Sequence, residues 1–189
     1  TNDRYKQAIA KYAASFIDEG DTILINTSST ALLVISYLCG KHCTVITNNA
    51  KALLVKHDPM VSIVLTGGEL RFPKEAMVGD FALNNLNRVL ANKCFLGCSG
   101  ISADDGITTA ILSETAVNET MLKRTTGLKF VLCDYTKVGV KHSFLSGDID
   151  LINYLITDIN ADEAAIEEIK EHDVKVVKLK PLVLTAYNN

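Results

Sequence analysis

No uninterrupted apolar run in the sequence approaches the ~18 residues that a membrane-spanning helix requires. The first residues are polar, so we expect neither a membrane span nor a secretory signal peptide. Basic residues are scattered instead of gathered in a stripe, and the net charge is −3. Because nucleic-acid binding depends on clustered Lys and Arg, we do not expect these residues to grip DNA by themselves. Internal repeats and low-complexity segments are also absent from the sequence.

The cysteines form neither a disulfide framework nor a metal-ligand pattern. There are five, an odd number, in or beside apolar segments, which is typical of buried thiols in a reducing cytosol. Cys94 and Cys98 would lie ~13 Å apart on a strand, too far to ligate one metal ion. Cys39, His42 and Cys43 are closer together, but no second ligand pair accompanies them. We therefore predict no metal ion and a cytoplasmic protein.

The remaining composition is that of an ordinary globular domain. Hydrophobic residues make up 48% and charged residues 22% of the 189 residues, which suits one large domain. Periodicity predicts an amphipathic helix over 3–18 that ends before Gly20, with Ala10, Ala13, Ala14 and Ile17 facing inward. Short apolar runs then alternate with helical patterns. The predicted strands are 22–25, 44–46, 62–65, 94–97, 130–133, 154–156 and 174–179, and the predicted helices are 30–39, 49–57, 79–91, 113–127 and 162–171.

This alternation predicts an α/β fold, a three-layer sandwich with a mostly parallel sheet covered by helices on both faces. In such sheets ligands bind outside the carboxyl ends of the strands. The turns that follow the predicted strands are polar or rich in glycine, at 26–30, 47–49, 66–71, 97–108, 134–139 and 157–158. Each could be an ordinary cap or tight turn, but six such turns together favour a polar ligand site.

The turn at 26–30 is the most informative of the six. It carries one amide and four hydroxyls and leads directly into a helical pattern. The start of a helix offers unpaired backbone N–H groups to an anion, and hydroxyls can donate further bonds to phosphate oxygens. Taken alone, the turn is also explained by Ser29 or Thr30 capping its own helix.

In this order, the motifs resemble the C-terminal effector-sensing domain of DeoR-family transcriptional regulators. The resemblance extends over about 4–179. It rests on the segments 26–30, 47–48, 67–71, 95–101, 106–108, 134–139 and 156–158, together with Gly79 and Glu114. It implies the fold that ribose-5-phosphate isomerase, glucosamine-6-phosphate deaminase and the CoA transferases share.

The sequence departs from the family pattern at several positions. Asn26 replaces the leading acid, Ser28 replaces the glycine of the first turn, and Asn118 and Glu119 stand where basic residues follow the Glu. These changes imply either a different effector or weaker phosphate binding. The family's N-terminal winged helix-turn-helix domain has no counterpart in the sequence, which we divide into a sensor domain at 1–180 and a tail at 181–189.

The resemblance implies a sensor without catalytic activity or cofactor. A phosphorylated sugar or related sugar-pathway metabolite would bind it and control DNA binding by the absent domain, in a repressor that forms a homodimer or homotetramer. We expect residues 28–30 to hold the phosphate, Lys137 to supply positive charge and Asp134 to orient Lys137. The full set expected to bind the ligand is Asn26, Thr27, Ser28, Ser29, Thr30, Thr47, Asn48, Gly67, Gly68, Ser99, Gly100, Glu114 and Lys137.

The alternative function is a sugar-phosphate isomerase or related enzyme on the same fold. Such an enzyme needs a base beside the substrate carbonyl and a group that stabilises the enediolate. Glu114 and Lys137 are the candidates for these roles. The acidic signature of the isomerase is only partly met, by Asp104 and Asp105, and the turn at Asn26 lacks an acid.

Overall fold

A computed structural model describes residues 2–183 of the chain. Its helices are α1 (Asn2–Ala14), α2 (Ser29–Leu33), α3 (Asp80–Leu86), α4 (Leu112–Lys123) and α5 (Glu163–Lys170). Its strands are β1 (Thr22–Ile25), β2 (Cys43–Thr47), β3 (Val61–Leu65), β4 (Glu69–Arg71), β5 (Ala76–Val78), β6 (Lys93–Leu96), β7 (Gly100–Ser102), β8 (Gly106–Thr109), β9 (Lys129–Leu132), β10 (Phe144–Gly147), β11 (Tyr154–Asp158) and β12 (Lys175–Leu179).

Seven strands form one sheet in the order β12-β11-β9-β6-β1-β2-β3. Every neighbouring pair in this sheet runs parallel. These are the seven strands predicted from the sequence, with bounds that differ by at most two residues. The prediction of a largely parallel sheet is therefore confirmed.

The inner strands β1, β6, β9 and β11 are buried on both faces of the sheet, since their successive side chains point to opposite sides and nearly all of them are buried. Ile23 and Ile25 of β1 join a core with Ala10 and Ala13 of α1, while Leu24 joins a second core with Met121 of α4. The first core also contains residues of α2, and the second contains residues of α3 and α5. The three-layer arrangement and the four inward residues predicted for the first helical segment are thus confirmed, although Ile17 lies beyond the end of α1.

The helices predicted at 3–18 and 113–127 end about four residues early, at Ala14 and Lys123, and three other predicted helices are wrong in length or type. The segment predicted at 30–39 is α2, of only five residues, followed by a 3-10 turn at Val34–Tyr37 whose branched Val34 and Ile35 favour helix weakly. The segment predicted at 49–57 forms only the 3-10 turn Ala50–Leu54. The segment predicted at 79–91 ends as a helix at Leu86, and the amides of Arg88 and Val89 beyond it bond to carbonyls three residues earlier.

Two small antiparallel sheets were not predicted. One is the hairpin of β4 and β5, and the other has the order β10-β8-β7. Their strands have only three or four residues, and several lie within segments interpreted as turns because of their glycines. Strands this short depend on pairing with a partner, which is a neighbouring hairpin strand for β4 and β5 and a strand distant in sequence for β10 and β8.

The remaining sequence expectations concern the termini and the membrane. Of the tail expected at 181–189, residues 184–189 lie outside the described part of the chain. None of the helices formed within residues 2–183 has the length and apolar character needed to cross a bilayer.

Candidate ligand-binding cleft

The sheet has a switch in winding direction between β1 and its neighbour β6. From β1 the chain continues to β2 on one side, whereas from β6 it continues to β9 on the other side. The loops that follow β1 and β6 therefore diverge and leave a crevice at the carboxyl ends of the strands, where ligands bind in open α/β sheets. The described residues enclose a cavity of about 460 Å³ there, with walls formed by the loops after β1, β6 and β9.

The side chain of Asn26 joins the loops after β1 and β6. Its Nδ2 donates to the carbonyl of Gly97 at 2.9 Å, and its Oδ1 accepts from the amide of Gly97 at 3.0 Å. Asn26 Nδ2 also donates to Oδ1 of Asn118 on α4 at 3.0 Å. Asn26 is only 3% exposed. It therefore fixes the geometry of the cleft floor through both its donor and its acceptor atoms.

Gly97 is required where these two loops meet. A Cβ atom at this position would lie 2.0 Å from both Cβ and Oγ of Ser28. Ser28 is the N-cap of α2, since its Oγ accepts from the amide of Ala31 at 3.2 Å. The cap is thus Ser28, and neither Ser29 nor Thr30, the two residues considered from the sequence. A hydroxyl that accepts one bond still has its proton to donate, so Ser28 retains a donor for a ligand.

Four lysines from separate segments line the cavity and give it a positive character. They are Lys6 on α1, Lys51 after β2, Lys74 in the turn between β4 and β5, and Lys137 after β9. Lys6 Nζ lies 3.5 Å from Oγ of Ser29. Two carboxylates, those of Glu114 and Asp134, line the same cavity. Four ammonium groups against two carboxylates favour an anionic ligand.

Glu114 lies in the first turn of α4 and is only 6% exposed. Its Oε1 accepts from the hydroxyl of Thr27 at 3.2 Å and pairs with Lys74 Nζ at 3.3 Å. Its Oε2 accepts from the hydroxyl of Thr109 at 3.2 Å. The carboxylate thus holds together three segments that surround the cleft, and it places the Lys74 ammonium group at the cavity wall.

Asp134 and Lys137 are connected through Thr136. The buried Asp134 carboxylate accepts from the Thr136 amide at 2.9 Å and also from the Thr136 hydroxyl. That hydroxyl in turn accepts from Lys137 Nζ at 3.1 Å. Asp158, at the end of β11, accepts from the Tyr135 amide at 2.8 Å and anchors the same turn. Asp134 therefore orients Lys137 indirectly, as a carboxylate that organises the turn carrying the lysine.

The structure brings most of the residues expected from the sequence to the cavity wall. Those that line it are Asn26, Thr27, Ser28, Ser29, Thr30, Ser99, Glu114 and Lys137. Three other lining residues, Lys6, Lys74 and His142, carried no sequence signal for this site. They come from α1, from the turn between β4 and β5 and from the loop that contains His142, whose Nε2 lies 3.2 Å from the carbonyl of Ser99.

The other five expected residues do not line the cavity. Thr47 and Asn48 are buried, and Asn48 Nδ2 donates to the carbonyl of Met77 at 3.0 Å. A Cβ atom on Gly68 would lie 2.7 Å from the Val78 carbonyl oxygen, and one on Gly100 would lie 2.2 Å from the carbonyl oxygen of Val140. Gly67 belongs to the same turn as Gly68. Asn48 and Gly68 thus contact β5, and Gly100 lies on β7, in the two small antiparallel sheets. The strands β2 and β3 lie farther from the switch than β1 and β6 do.

The two other clusters singled out from the sequence lie elsewhere. Asp104 and Asp105 pair with Lys141, at 3.7 and 3.0 Å, and do not line the cavity. His42 pairs with Glu19 at 2.9 Å. Within residues 2–183, no group of three or more His, Cys, Asp or Glu side chains is arranged to hold a metal ion.

Comparison with known proteins identifies relatives of the whole domain. A family model described as the DeoR C terminal sensor domain matches residues 1–159. The chain is 32% identical over 177 residues to the HTH-type transcriptional regulator GolR of Listeria innocua, covering 93% of this chain and 69% of that protein. It is 32% identical over 171 residues to the lactose phosphotransferase system repressor of Staphylococcus aureus, covering 88% of this chain and 66% of the repressor. The chain thus spans about two thirds of the length of these relatives.

A solved structure with the same fold is ribose 5-phosphate isomerase A from Methanocaldococcus jannaschii. The superposition has a TM-score of 0.52 at 17% sequence identity and covers 72% of this chain and 55% of the isomerase. At this identity the likeness establishes the fold that was expected from the sequence, and it carries no information about activity.

Proposed function

This chain belongs to the DeoR family as its C-terminal sensor domain, and we propose that the ligand it senses is a phosphorylated sugar or a related sugar-pathway metabolite. The observation that carries this proposal is the cleft at the switch between β1 and β6, with four lysines around a polar wall. A phosphate group has the charge that this lysine set attracts, and the hydroxyl and amide groups of the wall match the oxygens of a sugar.

Each part of the cleft has a role in this proposal. Ser28, Ser29 and Thr30 donate hydroxyl bonds to the phosphate, and Lys137 supplies charge from the opposite loop. Ser99 forms the far wall beside the sugar. Of the five expected residues that do not line the cavity, Asn48 and Gly68 act indirectly, because they contact β5 of the hairpin that carries Lys74.

Ligand binding would control the DNA-binding part of the regulator through a population shift. A ligand can change an equilibrium between two arrangements only by binding one of them more tightly. The cleft is suited to this role because its lysines come from four separate segments, so that one phosphate can hold α1, the hairpin turn and the loop after β9 together. By analogy with the lactose phosphotransferase system repressor, we propose that the whole protein represses genes of sugar metabolism in the cytoplasm.

We propose a sensor in preference to an isomerase because of how the acidic groups are placed. Asp104 and Asp105, the partial match to the acidic signature of the isomerase, lie outside the cavity wall and pair with Lys141. Glu114 does line the cavity, but it accepts from two hydroxyls and pairs with Lys74. These contacts favour a structural role for the carboxylate over that of a base free to remove a proton.

We also propose that the domain associates with a second copy of itself. Exposed apolar side chains occur on three segments that lie next to one another: Leu53 and Leu54, Leu70 and Phe72, and Phe81 on α3. The amide of Ala50 bonds to the carbonyl of Glu75, which joins the first of these segments to the hairpin. We call these five side chains the apolar patch. Apolar surface of this kind is typical of sites where proteins associate.

A thermal-shift screen with pentose and hexose phosphates, including ribose 5-phosphate, tests the proposed ligand class. A ligand present at 100 times its Kd stabilises a protein by about 2.7 kcal/mol, so a binding sugar phosphate raises the unfolding temperature clearly. The dephosphorylated sugars serve as matched controls. An isomerisation assay with ribose 5-phosphate is expected to show no turnover, and turnover at an enzymatic rate would favour the isomerase instead.

A further inference from the structure

Two cysteines lie side by side at the floor of the cleft. Cys98 follows β6 and Cys133 follows β9, and both line the cavity. β6 and β9 are neighbours whose last paired positions are Leu96 and Val131. Continued by two residues, this register sets Cys98 beside Cys133. Neighbouring strands lie about 4.7–4.9 Å apart, which is within the Cα–Cα range of about 4.4–6.8 Å that a disulfide requires.

The two thiols differ in how a reagent can reach them. Cys98 is partly exposed to the cavity, whereas Cys133 is only 3% exposed. A hydrogen bond with the Cys98 side chain and burial together raise the pKa of the Cys133 thiol well above its usual value. This influence of Cys98 on the Cys133 thiol agrees with the proximity that the register of β6 and β9 gives. A reagent in the cleft would therefore meet Cys98 first, with Cys133 directly behind it.

The other cysteines provide internal comparisons. Cys94 lies on β6 four residues before Cys98 and is wholly buried, and burial raises the pKa of its thiol to about 11. Cys43 is buried as well, and Cys39 is exposed. None of these three lines the cavity.

We propose that Cys98 and Cys133 are a site of reversible oxidation, at which a hydroperoxide converts the two thiols into one disulfide across the cleft floor. The inference goes beyond the sensing of a sugar phosphate and does not depend on the identity of that ligand. Its consequence is local, since the new bond would join the loop that carries Ser99 to the loop that carries Lys137.

The chemistry balances in two steps. The Cys98 sulfur attacks one peroxide oxygen, the O–O bond breaks, and the leaving oxygen takes up the thiol proton, which gives a sulfenic acid and one molecule of water or alcohol. The Cys133 sulfur then attacks the Cys98 sulfur, the S–O bond breaks, and the departing hydroxide takes the Cys133 proton as water. Two thiols are oxidised by two electrons in total, and the peroxide is reduced.

The test treats the reduced chain with hydrogen peroxide, alkylates the remaining thiols and maps tryptic peptides by mass spectrometry without reduction. Lys123 and Lys129 lie between the two cysteines, so trypsin separates them into different peptides. We expect a linked pair containing Cys98 and Cys133, the loss of two of the five thiols, and recovery of both thiols with dithiothreitol. Trypsin leaves Cys94 and Cys98 in one peptide, so fragmentation of the linked pair should show Cys98 bonded to Cys133 and Cys94 carrying the alkylating group.

Single substitutions distinguish this pair from general oxidation. Cys98→Ser and Cys133→Ser should each abolish the linked peptide, whereas Cys39→Ser, which removes an exposed thiol, should retain it. If Cys133→Ser fails to fold, Cys98→Ser decides the question, because Cys98 is partly exposed. Oxidation of Cys98 to sulfenic or sulfinic acid without a linked peptide would overturn the proposal, and so would a disulfide that joins either cysteine to Cys39.

Discussion

The side-chain amide of Asn26 holds the cleft floor together with atoms that a carboxylate would not reproduce. Its donor nitrogen bonds to the Gly97 carbonyl and to Asn118 Oδ1, and its oxygen accepts from the Gly97 amide. Asn26 and Asn118 are two of the departures from the family pattern, and in the fold they contact each other.

Replacing Asn26 by Asp tests the role of the amide. The carboxylate of Asn26→Asp would face two acceptor oxygens, so we expect a clear loss of free energy of unfolding at pH 7, on the order of 1–3 kcal/mol for each acceptor left without a donor. The pKa of the new carboxyl would be raised in the folded state, because only its protonated form can donate a hydrogen bond. The deficit relative to the original chain should therefore shrink as the pH falls through that raised pKa. Urea unfolding of both chains between pH 4 and pH 7 measures this difference in stability.

The control for this variant is Asn160→Asp, since Asn160 is exposed and its side chain is far less constrained. It should change stability little at either pH. Equal stability of Asn26→Asp and the original chain at pH 7 would contradict the role assigned to the amide.

At the scale of elements, the approach of the loop after β6 to the start of α2 depends on one glycine. A Cβ on Gly97 would overlap the Ser28 side chain, and the Ser28 Cβ cannot move without its backbone. We expect Gly97→Ala to lower the free energy of unfolding by about 1–3 kcal/mol, the usual cost of overpacking, and to weaken ligand binding by displacing the phosphate-binding turn. Chemical unfolding and a ligand titration measure the two effects.

A second substitution provides the control. Ser28→Gly removes both overlapping atoms, and the next nearest Ser28 atom lies 3.4 Å from the added Cβ. By itself the loss of this cap should cost only a few tenths of a kcal/mol. The double variant should therefore be more stable than Gly97→Ala alone. If the losses of free energy of unfolding in the two single variants add up in the double variant, the overlap with Ser28 is not the cause of the loss in Gly97→Ala.

The elements also show how far the sequence could predict this fold. The strands of the main sheet were predictable as short, mainly apolar runs, and the inner strands β1, β6, β9 and β11 are the clearest because they are buried along almost their whole length. The strand order was not predictable from such runs. Without it, the turns after β2 and β3 were expected to reach the ligand as readily as the turn after β1, which placed Thr47 and Gly68 in the site. Lys6 and Lys74 reach the cavity only through tertiary packing, so no local pattern could have indicated them.

At the scale of the whole molecule, the apolar patch predicts self-association. Phe72 and Phe81 are 73% and 79% exposed, so their burial between two copies would be favourable. We expect the chain to sediment as a dimer or larger assembly at micromolar concentration. Phe72→Ser with Phe81→Ser should shift it toward monomer, whereas Leu145→Ser, at an exposed apolar position on β10, should not. A chain that remains monomeric throughout would contradict the prediction.

The charge of the whole chain predicts no specific binding to DNA. The net charge is −3, and four of its lysines are committed to the cleft. Since DNA affinity depends on phosphate neutralisation by Lys and Arg, residues 1–189 should not retard duplex DNA at near-physiological ionic strength. A salt-dependent shift in the mobility of duplex DNA under those conditions would contradict this prediction.

The most direct test of the proposed sensor is calorimetric titration of the chain and of Lys137→Ala with one sugar phosphate and its dephosphorylated sugar. Lys123→Ala, an exposed lysine paired with Glu119 on α4, is the matched control. We predict that Lys137→Ala weakens the binding free energy of the sugar phosphate by about 1.5–3 kcal/mol, which is the range for hydrogen bonds to charged groups. The affinity for the dephosphorylated sugar and the thermal stability of the unliganded chain should remain nearly unchanged. Equal affinity of the original chain and Lys137→Ala for the sugar phosphate would remove Lys137 from the site and contradict the account of the cleft.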